Sequence, residues 1–421
     1  MNQSNLNGEF WKDYYKTTTH NIKNNSSFSD FVYNNYIDKY NKKNVFLKIA
    51  DLGGGNCRDS NFFAQKGNMC YAVDINGQNT YGNPNCKLIT EDVEDLLRDY
   101  KLQTLFDVVY MRWFLHAMPY KKSENVFNHA VCNLKPNGIL CIEVRSLNDD
   151  ELTESSVYDK DDQSYITTHK RWLYSKDLCI KLAEQNDCEV LYCEEGYFSP
   201  NPDTETHNPL LIRTIIQKKR LPYYETSENY SKYQKIVPIM KTPALTSYED
   251  MDVLNAILEK HDIHYIALAG TMIGLNRHGG IIPWDNDIDI GFVDSEWKKL
   301  FAIKDELIEN GLKIHVPPTD HVAYDKQCHF GAIDCFRLEL KGDYYQGVAD
   351  VFCHKDEYKH AAKQIFGYTY VYAPFSCVQS LSHRYRNSYF HVGDVNDNYH
   401  FKDRTVPRFT LNKFDRSYQI R

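Results

Sequence analysis

Four short apolar runs, FLKIADL at 46–52, CYAVDI at 70–75, FDVVYM at 106–111 and GILCIEV at 138–144, are separated by stretches of helical length. Few folds accept that rhythm. A strand that is apolar on both faces needs cover on both, and parallel neighbours need long crossovers, so an α/β unit with a mostly parallel, Rossmann-like sheet is predicted. The first run leads directly into IADLGGGNCRDS at 49–60, which puts Gly53, Gly54 and Gly55 between a strand and a helix. Glycines there let the chain turn sharply and let a ligand lie against bare backbone.

Acids fall where the strands end. Asp51 precedes the glycines, Asp74 closes YAVDI, and Asp92 lies in EDV where a third strand should finish. Asp74 is placed to hold ribose hydroxyls and Asp92 an adenine amino group, while Asp51 would meet a positive ligand. A dinucleotide site is the rival reading, but Gly53-Gly54-Gly55-Asn56-Cys57-Arg58 lacks the third glycine that seats a pyrophosphate. A sulfonium amino acid fits these acids better than a diphosphate.

The chain of 421 residues is long enough for two or three domains, and its net charge of -8 argues against a nucleic-acid partner. The start, MNQSNLNGEFWKDYYK, lacks the apolar core of a signal peptide, and no run approaches the ~18 apolar residues of a membrane span. Twelve cysteines without CxxC pairs fit reduced thiols, so a cytoplasmic protein is expected. The tyrosine-rich segment QKKRLPYYETSENYSKYQK at 217–235 has no clean period and reads as a connector. Domains are therefore expected at 1–220 and 241–421, with a linker at 221–240.

The second half opens with TSYEDMDVLNAILEKHD, a helix with a capping-box pattern at Thr246 and Glu249, and continues as α+β. Its distinctive stretch is IIPWDNDIDIGF at 281–292, with Asp285, Asp287 and Asp289 on alternate positions. On a strand these would share one face while Ile288 and Ile290 anchor the other. Stacked carboxylates repel unless a hard cation neutralises them. A calcium loop would match Asp285, Asp287, Asp289 and Glu296, but Ile290 stands where that loop needs glycine. Upstream, Gly270 and Thr271 open a helix whose N–H groups would take a phosphate, and GVADVFCH offers Asp350. A glycine-small turn, a DxD strand and a third acid form the pattern of nucleotidyltransferase-fold enzymes, in which carboxylates and substrate phosphates share Mg²⁺ or Mn²⁺. Cys328, His329, Cys335, Cys353 and His354 lie close in sequence, but without paired spacing they read as buried thiols rather than a zinc site.

Two resemblances stand on these residues. DLGGG, Asp74, FDVVYMRWFLHAM and LKPNGILCIEVRS resemble the motifs of class I S-adenosylmethionine-dependent methyltransferases. FWKDYY, EVRS, HKRW and NPLLIRTI are similar to the members associated with surface-polysaccharide synthesis, over about residues 8–218. This implies methylation of a sugar or sugar derivative, with His116, Glu143, Arg145, His169 and Arg171 as candidates for substrate work. A neutral histidine would take the proton of a hydroxyl acceptor, and the arginines would hold a sugar phosphate or nucleotide-sugar diphosphate. GTMIGLNRHGGIIPWDNDIDIGF and the tail RYRNSYFHVGDVNDNYHFKDR resemble the LicD/fukutin family of phosphotransferases, from about 245 onward. That family moves phosphocholine or a polyol phosphate from a CDP-linked alcohol onto a glycan. Carried over by position, Asp287 and Asp289 hold the metal, with Asp350 as third acid or base. Gly270 and Thr271 meet the donor phosphate, Arg277 neutralises it, and Asp285 is a ligand or its support. The expectation is a bifunctional glycan-modifying enzyme. The alternatives are one degenerate domain serving as a binding scaffold, or a small-metabolite methyltransferase.

Overall fold

The computed structural model describes residues 10–11, 24–79, 81–99, 101–198, 208–219, 244–282, 285, 287–315, 326–348, 352–385, 392–394 and 408–410. The expected linker at 221–240 and Asp350 lie outside the described residues. The chain divides into two compact units, Met1–Arg220 and Leu221–Arg421.

The first unit is built on a seven-stranded sheet. Its strands are β1 (Lys48–Leu52), β2 (Met69–Val73), β3 (Cys86–Ile89), β4 (Phe106–Arg112) and β5 (Leu134–Arg145), followed later in the chain by β9 (Cys188–Gly196) and β10 (Leu211–Lys218). The short strands β6 (Val157–Asp159), β7 (Ser164–Ile166) and β8 (Lys170–Arg171) form a separate antiparallel sheet between β5 and β9 in sequence. Across the main sheet the order is β3-β2-β1-β4-β5-β10-β9. β1 through β5 pair in parallel, and β10 runs against both β5 and β9. Every residue of β1 and β2 is buried, as strands covered on both faces require. The order reverses between β1 and β4. In open α/β sheets that switch point leaves a crevice beyond the carboxyl ends of the strands.

The second unit places β12 (Ile288–Val293) between β11 (Ile266–Ala267) and β15 (Ile333–Lys341), with β14 (Gln327–Phe330) and β13 (Ile314–His315) beyond. β16 (Tyr344–Gln346) and β17 (Phe352–His354) extend from β15, and β18 (Ala361–Phe366) pairs with β19 (Thr369–Pro374). The opening helix runs Ala244–Lys260, so Thr246 falls inside it and the expected capping box is not its start. The helix expected from Thr271 begins two residues earlier and spans Ala269–Arg277.

One expectation is corrected here. Only Asp289 of the three alternating aspartates lies on β12; Asp285 and Asp287 precede it. β12 gains its parallel partner at Ile288↔Ile333, and β15 begins at Ile333 after a turn at Gly331. Among the described residues the ladder starts at Ile288, so Asp285 and Asp287 stand before it.

Candidate active sites

The first site lies at the switch point. Gly53 turns the chain at φ +77°, and its N–H donates to Val73 O on the adjacent strand at 2.8 Å. A Cβ at Gly53 would stand 2.4 Å from the Phe114 ring, and one at Gly54 would stand 3.2 Å from Asp51 Oδ2. The loop is thus packed against bare glycine backbone. Gly55 N–H donates to Asp74 Oδ2 at 3.1 Å, and Asn76 N–H to Asp74 Oδ1 at 2.9 Å. Two backbone donors therefore hold that carboxylate in place at the end of β2.

Asp51 is buried, and its Oδ2 accepts from Ser60 Oγ at 2.5 Å. Burial, with the neighbouring Asp59 charge second, pushes its carboxyl up to about 7. Asp92 lines the same cavity, but its oxygens already have donors. It caps the helix Val93–Arg98 through Glu94 N–H at 2.8 Å, and Lys122 Nζ reaches its Oδ2 at 3.0 Å. Burial works against its ionised form, yet Lys122 and the cap hold it below the usual carboxylate range.

Asp59 is a residue that sequence reasoning missed. From the first turn of the helix Arg58–Gln65 it accepts from Ser26 N–H and Ser26 Oγ, both at 2.7 Å, and from Tyr110 OH at 2.8 Å. These bonds fasten the N-terminal helix Ser27–Val32 over the sheet. No motif signals it, because its partners come from 33 and 51 residues away.

The cavity holds about 550 Å³ and extends past β4 and β5 to His116, Arg145, His169 and Arg171. A backbone return brings these four together. Trp172 N–H donates to His116 O at 2.9 Å, and Tyr174 N–H to Arg145 O at 3.0 Å. His116 is buried, and its Nδ1 accepts from Arg145 N–H at 3.1 Å. The neutral ring therefore carries its proton on Nε2 and offers a donor there, not the lone pair a general base needs. Burial, then the charges of Arg171 and Arg145, keeps it well below the ordinary histidine range. His169 stacks on Phe10 with ring centroids 4.2 Å apart and is pushed down to about 3 by burial and the same two arginines.

Glu143 is not a substrate group. It is 1% exposed and joins Arg112 Nε at 3.1 Å to Arg213 Nε at 2.8 Å. Arg213 continues to Ser27 Oγ at 2.8 Å. Cutting a buried pair strands the remaining charges at a cost of about 3–5 kcal/mol. Glu143→Ala is thus expected to lower the thermal midpoint of the first unit by roughly 10 °C, converting at about 2–4 °C per kcal/mol. Scanning calorimetry checks this; a midpoint within about 2 °C of wild type contradicts the brace.

The second site gathers around Asp289. Its backbone N–H donates to Thr271 Oγ1 at 2.7 Å, its carbonyl accepts from Leu268 N–H at 2.9 Å, and its Oδ2 accepts from Gly270 N–H at 3.2 Å. A Cβ at Gly270 would stand 2.5 Å from Asp285 Oδ2, so glycine lets this carboxylate approach the turn. The N–H of Gly270 is thus occupied by a carboxylate, while the Thr271 hydroxyl, an acceptor toward Asp289, keeps its own proton to donate. Arg277 is buried at the far end of this helix, roughly 9 Å of rise from Thr271.

Asp287, Asp289 and Asp334 each offer an oxygen within 4.8 Å of the other two, the one such ligand set among the described residues. Asp334 was not anticipated. It lies on β15 directly beside Asp289 in the parallel register, and His329 Nδ1 pairs with its Oδ1. Burial first, then the Asp287 and Asp334 charges, raises the Asp289 carboxyl well above its ordinary value, opposed by Arg384. Arg384, from the helix Val378–Tyr385, thus lends the Asp289 carboxylate a stabilising positive charge, whereas sequence reading named only Arg277, for the donor phosphate. No helix of the described residues is long and apolar enough to cross a membrane.

Comparisons with known proteins agree with both halves. Residues 50–142 match the family described as "Methyltransferase domain", and residues 262–383 match "LicD/FKTN/FKRP, nucleotidyltransferase domain". An uncharacterized protein of Rickettsia typhi is 28% identical over 152 residues, 35% of this chain and 48% of the relative. The lipopolysaccharide cholinephosphotransferase LicD of Haemophilus influenzae is 41% identical over 53 residues, 13% of this chain and 20% of the relative. The chain therefore spans about half or less of these relatives. Among solved structures, a 1,6-didemethyltoxoflavin-N1-methyltransferase of Burkholderia thailandensis, bound to S-adenosylhomocysteine, superposes with a TM-score of 0.38 at 14% identity. It covers 52% of this chain and 88% of its own. A S-adenosylmethionine-dependent methyltransferase of Clostridium acetobutylicum gives 0.35 at 15% identity, covering 52% of this chain and 100% of its own. With the sheet order, the two constellations and the two family matches, one polypeptide joins a methyltransferase domain to a nucleotidyltransferase domain of the LicD/FKTN/FKRP type, which supports a transferase.

Proposed function

We propose that this chain is a bifunctional glycan-modifying enzyme. Its first unit methylates a sugar or sugar derivative with S-adenosylmethionine. Its second transfers a phospho-group of the phosphocholine or polyol-phosphate type from a CDP-linked donor. The observation that carries the reading is the presence of two separate built sites, an acid-lined glycine loop and a three-carboxylate cluster.

The cofactor's fit rests on the first site's own chemistry. Among the described residues no cationic group stands at hydrogen-bond distance from buried Asp51, whose carboxyl is pushed up to about 7, so a sulfonium amino acid would supply the charge it needs. Asp74, oriented by two backbone donors, keeps lone pairs for ribose hydroxyls. When bound, the cofactor supplies an electrophilic methyl group. The protein's part is orientation and exclusion of water, since His116 presents a donor to the cavity.

Asp51 gives a pH test. Its folded pKa of about 7 lies far above the ordinary 3.8, so in the ligand-free protein the carboxyl ionises only as pH rises through 7. A cationic ligand binds the ionised form. S-adenosylmethionine affinity is therefore expected to rise nearly tenfold per pH step below 7 and to level off near 8, with Asp51→Asn weak at every pH. Calorimetry between pH 5.5 and 8.5 checks this; a flat profile removes Asp51 from the cation site.

The second site fits a hard divalent cation. Three half-buried carboxylates at mutual reach, one pushed toward protonation, form an oxygen donor set that Mg²⁺ or Mn²⁺ would complete with donor phosphates. Asp287, Asp289 and Asp334 would hold it, with Asp285 in support. Bound there, the ion neutralises the phosphates and makes the cytidylate a better leaving group. Thr271 would donate to a phosphate oxygen, His329 orients Asp334, and Arg384 balances the cluster. The experiment that tests the pair of activities is product analysis after incubation with S-adenosylmethionine, and separately with CDP-choline or CDP-ribitol plus Mn²⁺, on a panel of glycans. Methyl transfer without any cytidine monophosphate release would leave the second unit as a binding module.

A further inference from the structure

Resting on the reading of the first unit as a methyltransferase, we propose that the far end of its cavity is an oxyanion site. It seats a carboxylate or phosphate group of the methyl acceptor between Arg145 and Arg171.

The cavity is divided electrically. Its acids Asp51, Asp74 and Asp92 come from the ends of β1, β2 and β3, with Arg58, Arg112 and Lys122 also lining the cavity, whereas Arg145 ends β5, Arg171 ends β8, and His116 and His169 follow β4 and precede β8. At that second end the positive charge is under-compensated. Arg145 Nη1 pairs with Asp149 Oδ2 at 2.6 Å. Arg171 donates to the Thr167 hydroxyl at 2.6 Å, and among the described residues no carboxylate comes within ion-pair distance of it. Both arginines line this end of the cavity, and burial, then the like charge of Arg145, lowers the Arg171 guanidinium to about 10. Side chains arranged this way are held against repulsion unless an anion enters.

The remaining polar groups at that end are donors as well. His116, with Nδ1 occupied by Arg145 N–H, has only Nε2–H to offer, and burial first, then the arginine charges, keeps both histidines neutral. The indole N–H of Trp113, which also lines the cavity, is buried without a hydrogen-bond partner among the described residues. Such a partnerless buried donor favours an acceptor atom in the cavity. Two guanidiniums and two N–H donors match an oxyanion, whose lone pairs take several donors at once, and not a neutral hydroxyl. The same geometry recasts His116. It is a positioning donor to the acceptor, not the base that removes a proton.

The test uses the full chain saturated with S-adenosylhomocysteine, titrated by calorimetry with inorganic phosphate, glucose 6-phosphate, glucuronate and glucose. At least one charged probe is expected to bind ten-fold or more tightly than glucose, and the phosphate and carboxylate arms show which oxyanion is preferred. Arg171→Gln is expected to weaken that probe at least ten-fold while S-adenosylhomocysteine affinity, the control for an intact fold, is unchanged. If Arg171→Gln loses the cofactor product too, Arg171→Lys decides, retaining the cofactor product and only part of the anion affinity. Equal binding of glucose and the charged probes, or anion binding indifferent to both Arg171 variants, overturns the proposal. Failure of the wild-type chain to bind S-adenosylhomocysteine overturns the methyltransferase reading instead, and Arg171-dependent phosphate binding would then still establish the oxyanion site.

Discussion

Asp289→Asn is expected to abolish divalent-cation binding by the second unit while making the metal-free protein more stable. The carboxylate stands within 4.8 Å of oxygens on Asp287 and Asp334, and the structure raises it well above its ordinary pKa through burial and those two charges. Unit charges at that separation repel by about 3–4 kcal/mol at an effective dielectric near 20, and protonation already relieves part of it. Asparagine keeps the carbonyl oxygen that accepts from Gly270 N–H, but it removes the charge. The expected result is a rise of about 2–4 °C in the melting midpoint of the metal-free chain and a loss of at least 100-fold in Mn²⁺ affinity. Mn²⁺ titration followed by paramagnetic resonance, with a thermal melt in chelator, reads both. Mn²⁺ binding within about three-fold of wild type would remove Asp289 from the metal site.

Gly53→Ala is the corresponding change in the first unit. It forces a side chain into φ +77°, where an L-residue loses about 1–2 kcal/mol, and drives a Cβ to 2.4 Å from the Phe114 ring. Relieving that contact means moving Phe114, which lines the same cavity, at a further cost of about 1–3 kcal/mol. S-adenosylhomocysteine affinity is expected to fall at least 30-fold, with Mn²⁺ affinity at the second site unchanged. Cofactor affinity within two-fold of wild type would show that the loop does not shape the site.

Much of the first unit was legible because its strands are apolar on both faces. The runs expected at 46–52, 70–75, 106–111 and 138–144 became β1, β2, β4 and β5, and the glycines fell at the switch point. Local physics sufficed there, since burial and turn geometry are written in adjacent residues. The acceptor end was less legible. His116 and His169 could be named as residues, but the hydrogen bond that fixes the His116 tautomer comes from Arg145, 29 positions away. Glu143 looked like substrate chemistry, yet Arg112 and Arg213 consume both its oxygens.

The second site shows the same limit. IIPWDNDIDIGF announced clustered acids, but alternation implied a strand that the sheet does not continue past Ile288. Asp334 was hidden because its proximity to Asp289 depends on parallel pairing of strands 45 residues apart, which no local pattern encodes. Its own context, IDCF, repeats the acid-among-apolar pattern of DIDI and was the available signal. Arg384 acts on Asp289 from the helix Val378–Tyr385, 95 positions further along the chain, which no local pattern signals.

The central claim is that two independent sites share one chain. Its most direct test is calorimetric titration of wild type, Asp74→Ala and Asp287→Ala with S-adenosylhomocysteine and, separately, with Mn²⁺ plus CDP-choline or CDP-ribitol. The account predicts that wild type binds both kinds of ligand, that Asp74→Ala loses only the first, and that Asp287→Ala loses only the second. A wild-type chain that binds neither, or a single variant that loses both while remaining folded, would contradict it.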